Sequence, residues 1–473
     1  MNPTPSEPQL TSGATPREVA DALKPLVDFA APPLSLPQLQ QLLDERLTPH
    51  LMRYDQPTFH SMFNALPSAA AQVGAQLALS WNQGVTNWQV SPGGAMLEEL
   101  CCAALCRLFQ LGPDADATFM YSGTYANQQA LYLALHRHAE RRGFDLAQQG
   151  LAGFAQHGKG ARPVVLASQD AHFSMRHAVR MLGLGEESLL LLPLDAERRI
   201  DVAVARTILA ELAPQRELLC LVATAGTTVT GAVDPIAPLA ELCAAHGGWL
   251  HVDGAYGYAY KLAPQWAHLF AGDDLADSIT WDPHKQLGAP IPSSLLFVRN
   301  WRDFNRMAIH SGYFNRTQAS ADDVEMPAPN PGLKSAPTTR PLAALPLVTI
   351  LRGLGLDGVV TELRAHLQAI HNLAQRLAHE PYIELCHRPA TGILCFRVTP
   401  PNHSPSQLDA VQRQIYEYIM TSGRRTISLA QIDARTVLRL VVVSAAVTVD
   451  ELMETVRIAR DFGVHGLAET MDA

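Results

Sequence analysis

Several polar side chains in the sequence follow directly on short apolar runs that predict buried strands. Asp253 ends the run GWLHVD, Lys285 follows ITWDPH, and His172 lies shortly after PVVLAS. In open α/β sheets, ligands bind beyond the carboxyl ends of the strands, so these side chains are expected to converge. A lysine is rarely buried unless it has a partner or a covalent role, so the position of Lys285 needs a chemical explanation.

Two further segments could bind the polar parts of a ligand. Ser122, Gly123 and Thr124 precede a predicted helix, whose free N–H groups and dipole favour a phosphate group. The turn TAGTTVTG, which contains Thr228, follows another strand and presents hydroxyl and backbone N–H groups. Each feature alone has a simpler explanation: a helix N-cap, a loop cap, a structural histidine, or a cap or ion pair at Asp253.

The order of these features along the chain is more informative than any one of them. A phosphate loop, a histidine, a threonine-rich turn, an aspartate and a lysine each lie at a strand end. Pyridoxal 5′-phosphate needs this set, because its phosphate needs a helix N-terminus, its aldehyde a lysine, its ring nitrogen a carboxylate, and its ring faces flat or small side chains. The sequence therefore predicts pyridoxal 5′-phosphate as the cofactor, with Lys285 buried because it is used covalently.

The elements that must position these residues alternate between helices and strands. From about residue 90 to 300 the predicted strands are near-continuous apolar runs, which is typical of strands covered on both faces. The pattern predicts an α/β domain with a mostly parallel sheet. Its predicted strands are 162–167, 187–192, 217–223, 248–252, 277–281 and 293–298, and its predicted helices are 92–109, 124–139, 173–181, 202–213 and 235–245.

The pattern along the whole chain predicts three domains. Residues 1–85 form an N-terminal helical arm, 86–355 the large cofactor-binding α/β domain, and 356–473 a small C-terminal α+β domain. The polar, proline-rich segment 309–340 is either a functional loop or a plain surface excursion. Towards the C-terminus, helices are predicted at 341–353, 357–379, 405–422 and 448–462, and strands near 382–386, 391–398 and 436–443.

Composition and charge narrow the classes of partner and compartment. With 36 Lys and Arg against 45 Asp and Glu, the formal net charge is −9, and the absence of a basic stripe argues against a nucleic-acid partner. The seven cysteines have neither a metal-binding nor a disulfide spacing, so we expect reduced thiols, no metal site and a cytoplasmic protein. The N-terminus lacks a signal-peptide pattern, and we expect no apolar run that approaches the length of a membrane span.

Three motifs, TAGTTVTGAVDP, HVDGAYG and WDPHKQLGAP, resemble those of the group II pyridoxal-phosphate-dependent amino acid decarboxylases, which include glutamate and aromatic amino acid decarboxylases. The resemblance covers roughly residues 50–460. It implies the type I, aspartate aminotransferase-like fold and an intertwined homodimer with the active site at the subunit interface. The reaction it implies is decarboxylation of an L-amino acid to the corresponding amine and CO2.

The resemblance also implies roles for individual residues of this chain. Arg439 matches an arginine that pairs with a substrate carboxylate in glutamate decarboxylases, and Trp88 is expected either at the substrate pocket or in the core. His284, beside the lysine, is a candidate to relay a proton. The implied cofactor contacts are Lys285 as the Schiff-base lysine, Asp253 at the ring nitrogen, His172 and Ala255 on the two ring faces, Gly123 and Thr124 at the phosphate, and Thr228 beside the cofactor.

Three positions depart from the family pattern. Asp282 stands where the family usually has Asn or an Ala-type residue, and it puts a like charge beside a phosphate unless it is paired or turned away. Gly254 stands where Ala is common. Ala65 replaces a glutamine that contacts the substrate in glutamate decarboxylases, which argues against glutamate as the substrate.

Alternatives to amine formation follow from the same residues. The DPHKQLGAP motif also resembles carbon–carbon lyases of the sphingosine-phosphate lyase kind, and aldehyde-forming relatives carry phenylalanine where amine-forming enzymes have a loop tyrosine. Tyr313 and Phe314 are adjacent here, and we expect Tyr313 to return the proton to the substrate carbon. The complete set of Lys285, Asp253 and His172 argues against a non-catalytic homologue.

Overall fold

The computed structural model describes residues 8–157, 161–309 and 328–466 of the chain. α-Helices span Pro16–Leu23 (α1), Leu36–Arg46 (α2), Ala69–Trp81 (α3), Pro92–Leu108 (α4), Gly123–Arg141 (α5), Leu146–Gln149 (α6), Ala152–Gln156 (α7), Ser174–Met181 (α8), Val202–Ala210 (α9), Ile236–Ala245 (α10), Ala344–Leu377 (α11), Pro405–Thr421 (α12) and Val449–Asp461 (α13). Strands span Asp116–Met120 (β1), Arg162–Ser168 (β2), Leu189–Leu192 (β3), Arg216–Thr224 (β4), Trp249–Asp253 (β5), Ser278–Trp281 (β6), Ser294–Val298 (β7), Ile383–Leu385 (β8), Ile393–Val398 (β9), Ser428–Ile432 (β10) and Arg435–Val441 (β11).

Contacts divide the chain into two compact units. The larger unit is Pro67–Arg364, and the smaller one combines residues up to Leu66 with those from Ala365 onward. The N-terminal segment therefore shares a unit with the C-terminal segment, which no pattern in the sequence indicated. The division into 1–85, 86–355 and 356–473 stays a prediction.

The larger unit is built on a seven-stranded sheet in the order β1-β7-β6-β5-β4-β2-β3. Strand β7 runs antiparallel to both of its neighbours, and the pairs from β6 to β3 are all parallel. Strands β5, β6 and β7 are buried along their whole length, as their apolar sequences predict. The predicted α/β class, with a mostly parallel sheet, is confirmed.

Two details of this sheet differ from the predictions. Strand β1 was not predicted, because its sequence DATFM is short and mixes polar with apolar residues. The predicted strand 187–192 begins later, since Glu186–Ser188 forms a turn of 3-10 helix before β3. The remaining predicted elements of the sheet agree with the structure to within a few residues at each end.

The register of the parallel strands brings the predicted ligand-binding ends together. Thr224 at the end of β4 pairs with Asp253 at the end of β5, and Asp253 pairs in turn with Thr280 of β6. Helix α5 follows β1 and packs against β4, β5, β6 and β7. The N-terminus of α5 and the carboxyl ends of β4 to β6 therefore belong to one packed substructure.

The smaller unit contains a four-stranded antiparallel sheet in the order β10-β11-β9-β8. Apolar side chains of β9 and β11 pack with those of α12 and α13, including Phe396, Leu438, Ile415 and Val456. Strand β10 was not predicted, because the segment SLAQI has only weak alternation. The second predicted class, a small α+β domain, is confirmed by this sheet and its helices.

Helix α11 is more apolar than expected from the sequence. By length and composition it could cross a membrane, so the prediction that no apolar run approaches the length of a membrane span was wrong. The backbone leaves helical geometry at Gly355 (φ 66°), between the two helices predicted at 341–353 and 357–379. Core helices of globular proteins share such composition, so no membrane span follows from it.

Candidate active site

Lys285 lies in the turn that follows β6, beside a buried carboxylate. Its Nζ is 3.1 Å from Oδ2 of Asp282, and its backbone N–H donates to the Asp282 carbonyl over 3.0 Å. The Lys285 side chain is 20% exposed, whereas that of Asp282 is 4% exposed. The lysine therefore has a partner at the end of the strand, and the like charge predicted at Asp282 is paired with it.

His284 is turned towards the protein interior on the same segment. Its Nδ1 donates to the Ser293 carbonyl over 2.6 Å, and its Nε2 lies 3.8 Å from Oδ2 of Asp282. Burial lowers the pKa of His284, and the Asp282 carboxylate opposes that shift. A neutral His284 with its proton on Nδ1 has an Nε2 that can accept a proton.

Asp253 ends β5 as a buried carboxylate, 5% exposed, with a donor at each oxygen. The backbone N–H of Ala255 donates to Oδ1 over 3.2 Å, and the side-chain amide of Asn127 donates to Oδ2 over 2.9 Å. A buried carboxylate without hydrogen-bond donors would strongly destabilise the fold, and these two hydrogen bonds offset that cost. They also set the orientation of the carboxylate plane.

His172 lies in the turn after β2, half-buried. The backbone N–H of Ser174 donates to its Nδ1 over 3.2 Å, so the ring proton of neutral His172 is on Nε2. Burial lowers the pKa of His172, the Asp253 carboxylate opposes this, and Lys285 reinforces it. The imidazole is therefore neutral at physiological pH and interacts electrostatically with both predicted cofactor-binding residues.

The predicted phosphate loop begins α5. Ser122 is the N-cap, and its hydroxyl accepts the N–H of Tyr125 over 3.3 Å. A Cβ on Gly123 would lie 2.8 Å from Oδ2 of Asp282 and 3.1 Å from Cβ of Ala255. Only glycine fits here, and the close approach brings the start of α5 against Asp282 and Ala255; Thr124 follows in the first helical turn.

The threonine-rich turn after β4 is held next to Asp253. The N–H of Ala225 donates to the Asp253 carbonyl over 2.8 Å. Gly226 has a φ of 103°, and a Cβ there would lie 2.9 Å from the Gly257 backbone, so glycine is required. Thr228 is half-buried in this turn.

The contacts described for two further predicted residues, Trp88 and Arg439, are with other groups. Trp88 is 44% exposed, and its backbone N–H donates to the Pro329 carbonyl over 3.0 Å. Arg439 belongs to the smaller unit, where its Nε donates to the Ser428 hydroxyl over 3.1 Å and its Nη2 to the Ser61 carbonyl over 3.1 Å. Tyr313 lies outside the described residues, as does Phe314.

The sequence analysis missed Asn127 and His251, which connect to Asp253. A signal for both was present in the spacing. His251 and Asp253 are two residues apart on a strand and so share a face, and Asn127 lies one helical turn after Gly123. Within residues 8–157, 161–309 and 328–466, no group of three or more His, Cys, Asp or Glu side chains is arranged to hold a metal ion.

Comparison with known proteins shows which family has this sequence pattern. A model of the pyridoxal-dependent decarboxylase conserved domain matches residues 21–399. The chain belongs to the pyridoxal-dependent decarboxylase family. It is 32% identical over 387 residues to L-2,4-diaminobutyrate decarboxylase of Rhizobium meliloti (strain 1021), covering 82% of this chain and 73% of the relative.

Solved structures of pyridoxal-dependent decarboxylases share the fold. The glutamate decarboxylase domain of diaminobutyrate-pyruvate transaminase and L-2,4-diaminobutyrate decarboxylase from Vibrio parahaemolyticus superposes with a TM-score of 0.85 at 21% identity, over 97% of this chain and 91% of that one. Oryza sativa TDC with PLP and tryptamine also gives 0.85 at 21% identity, over 97% and 93%. The predicted type I fold is confirmed, and the protein is a pyridoxal-phosphate-dependent carboxy-lyase.

The residues of this pyridoxal-dependent decarboxylase fit its cofactor. Asp253 is a buried carboxylate held by donors, His172 is neutral, and Lys285 lies at the end of β6. Backbone N–H groups at the start of an α-helix such as α5 suit a phosphate. Asp282 is the exception to an otherwise anion-binding environment, and its Oδ1 has no hydrogen-bond partner among the described residues although it is buried.

Proposed function

We propose that this pyridoxal-dependent decarboxylase converts an L-amino acid into the corresponding amine and CO2, with Lys285 as the covalent attachment point of the cofactor. One observation carries the proposal: the paired Lys285, the doubly hydrogen-bonded Asp253 and the neutral His172 lie at one edge of the sheet. Ser122, Gly123, Thr124 and Thr228 complete the proposed cofactor-binding set, with Ala255 and Asp282 beside Gly123.

Each residue of this set has a distinct proposed task. Asp253 would hold the protonated ring nitrogen, since both of its oxygens are already oriented by N–H donors. His172 would cover one ring face as a neutral imidazole, and Ala255 the other. Bound pyridoxal 5′-phosphate supplies the electron sink that accepts the electron pair left when CO2 departs.

A proton must then return to the substrate carbon. We propose Tyr313 as its donor, because a phenol can deliver a proton and the neighbouring phenyl ring of Phe314 cannot. His284 is the second candidate. Its hydrogen bond to the Ser293 carbonyl requires a proton on Nδ1, so Nε2 is available to accept and release a proton. Aldehyde formation and carbon–carbon cleavage are the alternative reactions of the same site.

The substrate proposed first is L-2,4-diaminobutyrate. The support is the 32% identity with the diaminobutyrate decarboxylase of Rhizobium meliloti, together with Ala65 in place of the glutamine expected for glutamate. Arg439 is proposed to bind a substrate carboxylate, and its buried, hydrogen-bonded position in the smaller unit would keep the guanidinium oriented. Trp88 is proposed as a wall of the substrate pocket.

The assembly and location are further parts of the proposal. We propose a homodimer in the cytoplasm, supported by the absence of disulfides among the seven cysteines, all of which lie in the described residues, and by several exposed apolar side chains on α3, such as Leu77, Leu79 and Trp81. Sedimentation analysis of the loaded protein tests this: a monomer at micromolar concentration would contradict it.

A product analysis tests the reaction. The protein loaded with pyridoxal 5′-phosphate is incubated with L-2,4-diaminobutyrate, L-tryptophan, L-aspartate and L-glutamate, and CO2, amine, aldehyde and O2 uptake are measured. We expect equimolar CO2 and amine, with the highest rate for L-2,4-diaminobutyrate and no turnover by Lys285→Ala. Formation of aldehyde, ammonia and peroxide would show the aldehyde-forming reaction instead. Formation of two carbon fragments without CO2 would show carbon–carbon cleavage instead.

A further inference from the structure

A buried chain of hydrogen bonds leads to Asp253 along the face of β5 on which α5 packs. We propose that Asn127, His251 and Ser278 are positioning residues that hold the Asp253 carboxylate in the orientation that recognises the ring nitrogen of the cofactor. The inference rests on the proposed role of Asp253 and goes beyond it, because it assigns a task to three residues that contact neither cofactor nor substrate in that proposal.

The chain is continuous and buried. Trp249 Nε1 is 2.7 Å from the Ser278 hydroxyl, which is 2.8 Å from His251 Nδ1. His251 Nε2 is 2.9 Å from Asn127 Oδ1, and Asn127 Nδ2 is 2.9 Å from Asp253 Oδ2. Each of these five side chains belongs to a residue that is at most 5% exposed.

The direction of every hydrogen bond follows from the chemistry of the groups. The Asn127 amide nitrogen donates to two oxygens, Asp253 Oδ2 and the Ser174 hydroxyl, which lies 2.9 Å away. The opposite orientation of the amide would set its oxygen against the Asp253 carboxylate. Asn127 Oδ1 therefore faces His251, and His251 Nε2 must carry the proton.

The far end of the chain agrees with this assignment. A neutral His251 protonated on Nε2 has a bare Nδ1, which accepts the Ser278 O–H. The Ser278 oxygen is then left to accept from Trp249, whose indole nitrogen can only donate. Burial lowers the pKa of His251 to about 4, and the neutral ring that the chain requires is thus the form present at physiological pH.

The local sequence explains how one strand provides half of the chain. Trp249, His251 and Asp253 alternate on β5 and so project from the same face of the sheet. Helix α5 packs on that face and contributes Asn127, and β6 contributes Ser278 next to β5. Every donor points along the chain towards Asp253, whose second oxygen receives the Ala255 N–H.

This arrangement has a consequence that packing alone would not have. Hydrogen bonds from N–H donors to a carboxylate are strongest when it is ionised, and two donors in fixed positions prevent the carboxylate from rotating. The remaining lone pairs of Asp253 are thereby aimed in a fixed direction. A core network without this function would affect stability but not the recognition of one ring atom.

Binding measurements with the cofactor and with one analogue distinguish the positioning role from a purely structural role of these residues. The cofactor-free protein is titrated with pyridoxal 5′-phosphate and with the analogue in which carbon replaces the ring nitrogen, and the ratio of the two Kd values is measured. We expect the parent to prefer the nitrogen-containing cofactor. In Asn127→Ala this preference should fall roughly tenfold, which corresponds to about 1.4 kcal/mol.

Two further variants complete the design. Ser278→Ala, a small change at the far end of the chain, should lower the preference in the same direction but less, and it keeps the test available if Asn127→Ala does not fold. Gln412→Ala is the matched control, since Gln412 is a fully buried amide of the smaller unit that bonds to the Val398 backbone. It should lower stability and leave the preference at the parental value.

The outcomes distinguish this inference from the function on which it rests. A parental preference that persists in both Asn127→Ala and Ser278→Ala would overturn the positioning role while leaving Asp253 as the partner of the ring nitrogen. A parent that binds both cofactors equally would overturn the role of Asp253, and the positioning role with it.

Discussion

The Asp282 carboxylate lies 3.1 Å from the ammonium of Lys285 and also packs against the N-terminus of α5 at Gly123. Asp282 thus neutralises the lysine and occupies the surroundings of a predicted phosphate site with a negative charge. When a phosphate binds at the start of α5, the Asp282 carboxylate attracts the Lys285 ammonium and repels the phosphate. The two electrostatic interactions therefore have opposite effects on cofactor binding.

Replacing Asp282 should therefore strengthen cofactor binding. In Asp282→Asn the repulsion disappears and an amide N–H becomes available to the phosphate, so we expect the Kd for pyridoxal 5′-phosphate to fall by roughly tenfold, since a hydrogen bond to a charged group contributes about 1.5–3 kcal/mol. Fluorescence titration of the cofactor-free protein measures it. Weaker binding would mean that the Asp282–Lys285 pair matters more to the loaded site than the repulsion does.

Lys285 is predicted to be the residue that carries the cofactor. Borohydride reduction of the loaded protein followed by peptide mass spectrometry should place the label on Lys285, while Lys261 and Lys334, which are engaged with Asp273 and with Glu99 and Asp116, stay unlabelled. Lys285→Ala should lose both the visible absorption band of the linkage and turnover. A label on another lysine in the parent protein contradicts the assignment.

Gly123 should not tolerate even one added methyl group. A Cβ there would meet Asp282 and Ala255 at 2.8 and 3.1 Å, and overpacking of this kind destabilises by about 1–3 kcal/mol. Gly93, in the first turn of α4, has open space around the same position and serves as the control. We expect Gly123→Ala to lower the midpoint of thermal unfolding and weaken cofactor binding, and Gly93→Ala to do neither; equal behaviour of the two would show that the contact at Gly123 relaxes easily.

The smaller unit should lose stability in acid because of His60. Burial, with a smaller contribution from Arg425, lowers the pKa of His60 from 6.5 to about 3. Between those values the unfolded chain binds a proton that the native state does not, so the stability is fully present above pH 6.5 and is lost as the pH falls towards 3, by up to about 1.4 kcal/mol per pH unit.

Urea unfolding at several pH values tests this. His60→Leu should flatten the decline between pH 6.5 and 4, and so should His366→Leu, because burial lowers the pKa of His366 to about 4. An unchanged pH dependence in both variants would show that other groups govern the loss of stability in acid.

The local signals in the sequence were sufficient for most of the α/β unit. Strands such as β4 and β5 contain mainly apolar, buried runs because both faces of the sheet are covered, and that composition is visible without the structure. The order of His172, Asp253 and Lys285 at strand ends was visible for the same reason, since a polar residue that ends an apolar run is a local feature. The cofactor could be inferred from it.

Relationships between distant segments were decided by the tertiary structure. Asn127 and Asp253 are 126 residues apart, and only the packing of α5 on β5 brings the amide to the carboxylate. The union of the N-terminal residues with the C-terminal unit, seen where the Val441 N–H donates to the His60 carbonyl over 2.7 Å, has no local signature either. Hydrophobic periodicity reports which face of an element is buried but not which partner buries it, so the sequence alone determined the elements and their chemistry, and tertiary packing determined which groups meet.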